Sequence, residues 1–280
     1  LYAILVPIYR VTQVDPLILL KLTAPALYGL NTCGVYYFAK KALKWSTKKS
    51  LFAAFFFAFQ LASLRISWDL YRNILGLTIL LFALPFVPLQ GAISKRGVVW
   101  FVLLSTLIVF SHELVSVVLF AIFFGMMFFH RREDGKQRLL KASMSILPAL
   151  SIFSLNLSLW ASNGFEPLKM IRNLVIDLEP HLAGLFFLVN YLNYSGPVQY
   201  STYPNLVLSV LLFFVALYSL CLPLVFVGFF RDRILDCWTT LLLLGSFSSL
   251  IMPSIALEYW DRWMLMLVYP FTLYAVNGIE

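Results

Sequence analysis

The chain has 280 residues, of which 61% are apolar, 17% aromatic and 12% charged, with a net charge of +8 and a mean hydropathy of +0.86. Soluble domains carry about 25% charged residues, so the composition argues against a water-soluble globule and predicts an integral membrane protein. A basic excess in such a chain marks loops on the cytoplasmic side, and no nucleic-acid partner is expected.

Apolar runs of the length that a bilayer-spanning helix needs, about 17 to 25 residues, divide the chain. Residues 1–9 read as the tail of a span whose beginning is missing, and an upstream continuation is expected. Further passes are predicted over 17–39, 50–64, 74–90, 98–110, 114–129, 142–160, 206–230, 237–257 and 264–277. That is an all-α polytopic transmembrane bundle of about ten passes in one domain. The run from Val98 to Phe129 is interrupted only by Ser111, His112 and Glu113. A single helix there would carry two ionisable groups to mid-membrane at a cost of several kcal/mol, so two short helices meeting at the outer surface are predicted. Residues 161–204 form an extracytoplasmic loop. Within it, Glu166–Glu179 has the apolar spacing of an amphipathic helix lying on the membrane face. Leu182–Tyr194 is too short to span and reads as interfacial or re-entrant.

Charge fixes the orientation. Lys40, Lys41, Lys44, Lys48 and Lys49, then Lys95 and Arg96, then Arg131, Arg132, Lys136, Arg138 and Lys141, then Arg231 and Arg233 hold fourteen of the 21 basic residues. Placing all four clusters inside gives one consistent threading under the positive-inside rule, in the plasma membrane. Cys33, Cys221 and Cys237 lack the paired spacing of a zinc, redox or disulfide site and read as buried apolar residues.

The outer loops in this threading carry the candidate chemistry. They hold Arg65, Trp68, Asp69 and Arg72, then His112 and Glu113, then Glu258, Asp261 and Arg262. Each set also has a structural reading: helical ion pairs for Arg65–Asp69, Asp69–Arg72 and Glu258–Arg262, a helix cap for His112, and a favourable helix-dipole position for Glu113. Functionally, an arginine fork at interface depth matches phosphate oxygens and keeps its charge when partly desolvated. A carboxylate or histidine beside it can act on an acceptor hydroxyl. Asp69, Glu113 and Asp261 are candidate ligands for a divalent metal, although oxygen-ligand sites have no diagnostic spacing here.

Ser67-Trp-Asp-Leu-Tyr-Arg-Asn73 opening a span, Ser111-His-Glu113 between two short helices, and Trp260-Asp-Arg-Trp263 before a helix containing Pro270 together resemble archaeal multispan members of the GT-C glycosyltransferase superfamily. These are relatives of the dolichyl-phosphate-mannose protein mannosyltransferases and the aminoarabinose transferases. The resemblance implies a polyprenyl-phosphate-linked sugar as donor and a protein, lipid or glycan acceptor on the outer face. By position it makes Arg72, Arg65 and Arg262 holders of the donor phosphate, with Trp68, Asp261 and Glu258 in the pocket. His112, Glu113 and Asp69 are the catalytic candidates, and the family's catalytic carboxylate loop would fall upstream of Leu1. A transporter or flippase of an anionic or lipid-linked substrate is the main alternative, and a non-catalytic homologue the third. No P-loop, dinucleotide glycine fingerprint or nucleophile elbow occurs, so nucleotide-driven transport and hydrolase chemistry have no support.

Overall fold

The computed structural model describes residues 2–69, 71–89, 94–129, 136–162, 203–247 and 260–279, and among these it is all-helical. The elements are α1 (Tyr2–Thr12), α2 (Pro16–Lys41), α3 (Thr47–Phe59), α4 (Leu61–Asp69), α5 (Tyr71–Ala83) with a 3-10 turn over Leu84–Phe86, α6 (Lys95–Ser111), α7 (Glu113–Phe129), α8 (Lys136–Ser162), α9 (Tyr203–Tyr218), α10 (Leu222–Val227), α11 (Arg233–Phe247), α12 (Trp260–Met266) and α13 (Val268–Ile279). Their starts follow local chemistry. Asp15 Oδ1 accepts from Leu17 N–H (2.7 Å) ahead of Pro16 at the first position of α2. Ser46 and Ser94 cap α3 and α6 through Lys49 N–H and Gly97 N–H. Each cap satisfies a donor that the first turn leaves without an intrahelical partner.

By length and composition, one described helix, Leu139–Leu159 within α8, is sufficient to cross a membrane. The α3–α4 pair also passes that test as one element bent by 69°. Asn73–Phe86, Glu113–Phe128 and Val207–Tyr218 are apolar but shorter. Three runs differ from the sequence expectation, one of them 264–277, which breaks at Leu267 between α12 and α13. The run 50–64 is not one element, because the chain turns at Gln60. The run 206–230 is interrupted by a turn over 219–221, after which Pro223 opens α10. The segment 161–204, apart from its first and last two residues, lies outside the described residues, as does 248–259.

The core is built around α13, whose residues from Val268 to Val276 are all buried. Tyr269 stacks between Phe57 (5.2 Å between ring centroids) and Trp238 (5.5 Å), and Trp238 meets the edge of Phe38 (6.0 Å). One aromatic ladder therefore ties α2, α3, α11 and α13 together. Such pairs contribute about 0.5–1.5 kcal/mol each beyond burial. Pro270 explains the break between α12 and α13: its ring removes one N–H and crowds the carbonyl four residues back. Beside this break the buried Tyr218 hydroxyl donates to Met264 O (2.7 Å), which also accepts from Leu267 N–H (3.1 Å), and lies 3.2 Å from Leu265 O. At the other end of α13, Gly228 lies so close to Tyr274 O and Gly278 N that a Cβ would collide with backbone.

The helices sort the charges to the ends. Tyr37 packs on Phe82 (5.1 Å) and Phe86 (6.4 Å), so α2 and α5 finish side by side. Trp45 packs on Phe230 (6.0 Å). These contacts gather Lys40–Lys49, Lys95, Arg96, Arg231 and Arg233 at one end of the molecule. Lys44 there has φ 56°, a left-handed conformation that costs a non-glycine residue about 1–2 kcal/mol. Asp232 caps α11, with Oδ1 accepting from Ile234 N–H (3.0 Å) and Leu235 N–H (3.1 Å). Burial raises its carboxyl above the usual range, partly offset by those two hydrogen bonds.

Two measurements check this account. Tyr218→Phe keeps the ring but withdraws the hydroxyl from two buried carbonyls, and should lower unfolding free energy by about 1–3 kcal/mol in thermal or denaturant unfolding of the purified protein. For Asp232 the raised pKa means that the protonated form fits the fold better. Its stabilising share is complete below the ordinary carboxylate range and is lost as pH rises through the raised value. Asp232→Asn, which keeps a capping oxygen, should therefore match the wild type near pH 4 and equal or exceed it at pH 7. Asp232→Ala should fall below both at pH 7 by about 1 kcal/mol.

Candidate functional site

The described parts of the three segments singled out in the sequence lie at the end opposite the lysines. Arg65 sits on α4, and the backbones of Trp68, Asp69 and Arg72 fall at the α4–α5 junction. The side chains of Trp68, Asp69 and Arg72, and Glu258 altogether, lie outside what the structure describes. Asp261 and Arg262 occupy the first turn of α12.

Two clusters form here. In the first, the Arg65 guanidinium lies 5.9 Å from the centroid of Phe213 on α9, and Phe213 meets Trp260 of α12 at 5.6 Å and 88°. Arg65 thus comes to the same corner as Asp261 and Arg262 through an aromatic bridge, and a cation over a ring face is favourable by about 0.5–1 kcal/mol where exposed.

The second cluster is at the junction of α6 and α7. His112 leaves the helix in an extended conformation (φ −167°, ψ 135°), which divides the long apolar run into two. Its N–H donates to Ile108 O (3.1 Å), and its carbonyl accepts from Ser116 N–H (3.1 Å) and Ser116 Oγ (2.9 Å). Its Nδ1 accepts from Leu114 N–H (3.2 Å), which caps α7. That bond makes Nδ1 the unprotonated nitrogen and puts the proton on Nε2 in the neutral ring. Glu113 Oε2 lies 3.9 Å from the same Nδ1. This is too long for a hydrogen bond, and an ion pair there would need the proton that the cap excludes; the shorter contact with Leu114 N–H decides. Glu113 itself is half exposed, at 53%, in the first turn of α7, where the helix dipole favours a carboxylate.

Between this junction and α8 lies a cleft of about 180 Å³, lined by Phe110, Ser111, His112 and Glu113 on one side and Phe153 and Asn156 on the other, with Val109 and Leu157. At about 30 Å³ per water, it has room for a small polar group. Of the sequence-predicted residues only His112 and Glu113 line it; Arg65, Asp261 and Arg262 do not. Asn156 was not singled out in the sequence, where the signal available was one amide in the apolar run Leu150–Leu159. The α5 helix links the two clusters: Gly76 packs on Ser111 and Val115, and a Cβ there would sit 2.6 Å from Ser111 Oγ. Arg72 is one turn before Gly76 on the same helix.

Among the described residues no three His, Cys, Asp or Glu side chains gather into a metal-binding group, so no cation site is assigned. Comparison with protein-family models, curated proteins and solved structures gave no match to this chain.

The cap and the chemistry of His112 separate by substitution. His112→Asn retains a short capping acceptor and should keep thermal stability close to wild type, whereas His112→Ala should lose about 0.5–2 kcal/mol. Equal stability of the two variants in thermal unfolding would remove the capping role.

Proposed function

We propose that the chain is a multi-pass membrane protein, threaded about ten times, that transfers a sugar from a polyprenyl-phosphate-linked donor to an acceptor on its non-basic face. The observation that carries this reading is the separation of chemistry by end. Lysines and arginines cluster at one end, while at the other Arg65 comes to the corner of Asp261 and Arg262, and His112 and Glu113 separately line an open cleft. Exposed apolar side chains support the membrane. Val99, Leu103, Leu107 and Phe110 run down one outward face of α6, and Leu51, Phe55 and Phe59 down that of α3. Apolar surface of this extent marks a membrane or partner face, since soluble monomers rarely expose it.

In this mechanism the arginine forks of Arg65, Arg72 and Arg262 hold the donor phosphate at interface depth, where charge-assisted hydrogen bonds are strongest. Trp68, Asp261 and Glu258 complete the pocket. In this reading His112, Glu113 or Asp69 accepts the acceptor's hydroxyl proton.

A second reading, a transporter or flippase, is favoured by the break at Gln60. Discontinuous helices whose freed backbone groups are satisfied by side chains are a common feature of transporter substrate sites. Here the Tyr28 hydroxyl donates to Ala58 O (2.9 Å), Ser63 Oγ donates to Gln60 O (2.8 Å), and Gln60 Nε2 donates to Thr272 Oγ1 (2.6 Å). Sugar transfer to an acceptor without movement of the lipid between leaflets separates the two readings in proteoliposomes.

The transferase reading predicts that Arg72→Ala weakens binding of a polyprenyl monophosphate by about tenfold or more, with circular dichroism unchanged; unaltered titration would take Arg72 out of the site. The threading predicts that Ser111→Cys reacts with a membrane-impermeant thiol reagent applied from outside and Lys48→Cys does not. The background should lack Cys33, Cys221 and Cys237, because Cys33 is itself exposed. Reversed labelling overturns the orientation.

A further inference from the structure

The turn between α2 and α3 is held by part of its own charge. Lys40 Nζ donates to Thr47 Oγ1 (2.8 Å). Lys49 Nζ donates to Asn277 Oδ1 (2.9 Å) and lies 4.5 Å from the Trp45 ring. Lys41, Lys44 and Lys48 remain exposed, with no hydrogen bond or ion pair to a described residue. No Asp or Glu occurs in the sequence between Asp15 and Asp69 to neutralise them. Across the Trp45–Phe230 contact, Asp232 is engaged in capping α11, and exposed Arg231 adds a further cation there.

Two features make this more than a solvated basic loop. Lys44 occupies a left-handed conformation (φ 56°) that a glycine would adopt without steric penalty. A strained lysine at an exposed turn points to a use for its side chain. The cluster also continues directly into an exposed apolar face: Leu51, Phe52, Phe55 and Phe59 follow Lys48 along α3, with Phe55 and Phe59 rings 4.7 Å apart. From Lys48 to Phe59 is about 16 Å of helix, against about 15 Å for the hydrocarbon of one leaflet. Soluble anions or nucleic acids would use the lysines and leave that face without a function.

We propose that this end is a binding site for an anionic glycerophospholipid, its phosphate held by Lys41, Lys44 and Lys48 and its acyl chains lying along the Leu51–Phe59 face of α3. The site rests on the membrane reading above and gives the lysine-bearing end a defined partner in the leaflet it faces. Juxtamembrane lysines attract anionic lipid roughly fivefold each.

The test is titration of the full chain, purified in a zwitterionic detergent, with dioleoyl-phosphatidylglycerol, dioleoyl-phosphatidylcholine and soluble glycerophosphoglycerol, read by native mass spectrometry. Phosphatidylglycerol should bind in preference to phosphatidylcholine, and the soluble headgroup should bind far more weakly than the whole lipid. Replacing Lys41, Lys44 and Lys48 together by Gln should weaken phosphatidylglycerol binding on the order of a hundredfold. Lys44→Gly, which relieves the backbone strain, should weaken it several-fold while the melting temperature stays the same or rises. That variant keeps the proposal falsifiable if the triple variant misfolds. Equal affinity for the two lipids, unchanged affinity in Lys44→Gly, or a headgroup that binds as tightly as the lipid overturns the proposal. Extraction of native membranes with alkaline carbonate tests the membrane reading separately: a chain that stays in the pellet yet shows no phosphatidylglycerol preference loses only this site.

Discussion

Helix α13 is buried along nearly its whole length, and each polar side chain that it carries is tied to a different element. Tyr269 donates to Asn31 Oδ1 on α2 (3.0 Å), and Asn31 Nδ2 in turn donates to Thr78 Oγ1 on α5 (3.1 Å). Thr272 accepts from Gln60 at the α3–α4 break, Tyr274 lies 3.4 Å from Thr239 Oγ1 on α11, and Asn277 Nδ2 donates to Gly228 O after α10. A buried polar group without a partner costs about 1–3 kcal/mol, so these bonds do more to choose among packings than to add net stability. Apolar faces alone would let α13 rotate or slide. Its hydrogen-bonding pattern fixes one register, and that register sets where α12, and with it Asp261 and Arg262, begins.

Much of this was legible in the sequence because the signals were local. Helical class followed from apolar runs too long for strands, and the division at His112 from two ionisable residues in the middle of one such run. The break at Gln60 had no such signal: neither glycine nor proline marks it, and it depends on Tyr28 and Ser63 supplying hydroxyls to carbonyls that the turn frees. Pro223 is a sequence signal for the interruption of 206–230, but it lies within continuous hydrophobicity that does not itself divide the run. The pairing of Asn31 with Tyr269 spans most of the chain and is beyond any periodicity.

For the site, the residue types were readable and their grouping was not. His112 and Glu113 stood out as polar residues in an apolar run, and they line a cleft. The capping reading of His112 was available from its place ahead of an apolar run, and the structure shows that cap; that Asn156 faces it from α8 had no comparable signal. Arg65 and the Trp260–Arg262 turn meet through Phe213, an unremarked member of an apolar run. In the proposed mechanism these two clusters divide the work, one holding phosphate and the other handling the acceptor proton, with α5 setting the distance between them.

The glycine contact between α10 and α13 also has a mechanical side. Gly228 and Gly278 let two backbones touch with no side chains between them. An interface of that kind has little compliance, because it contains no rotamers to readjust. Asn277 bolts it from one side to Gly228 O and from the other to Lys49 at the start of α3. Helix α13, the 228–232 turn and the base of α3 are therefore tied directly to one another, from the lysine-bearing end into the core.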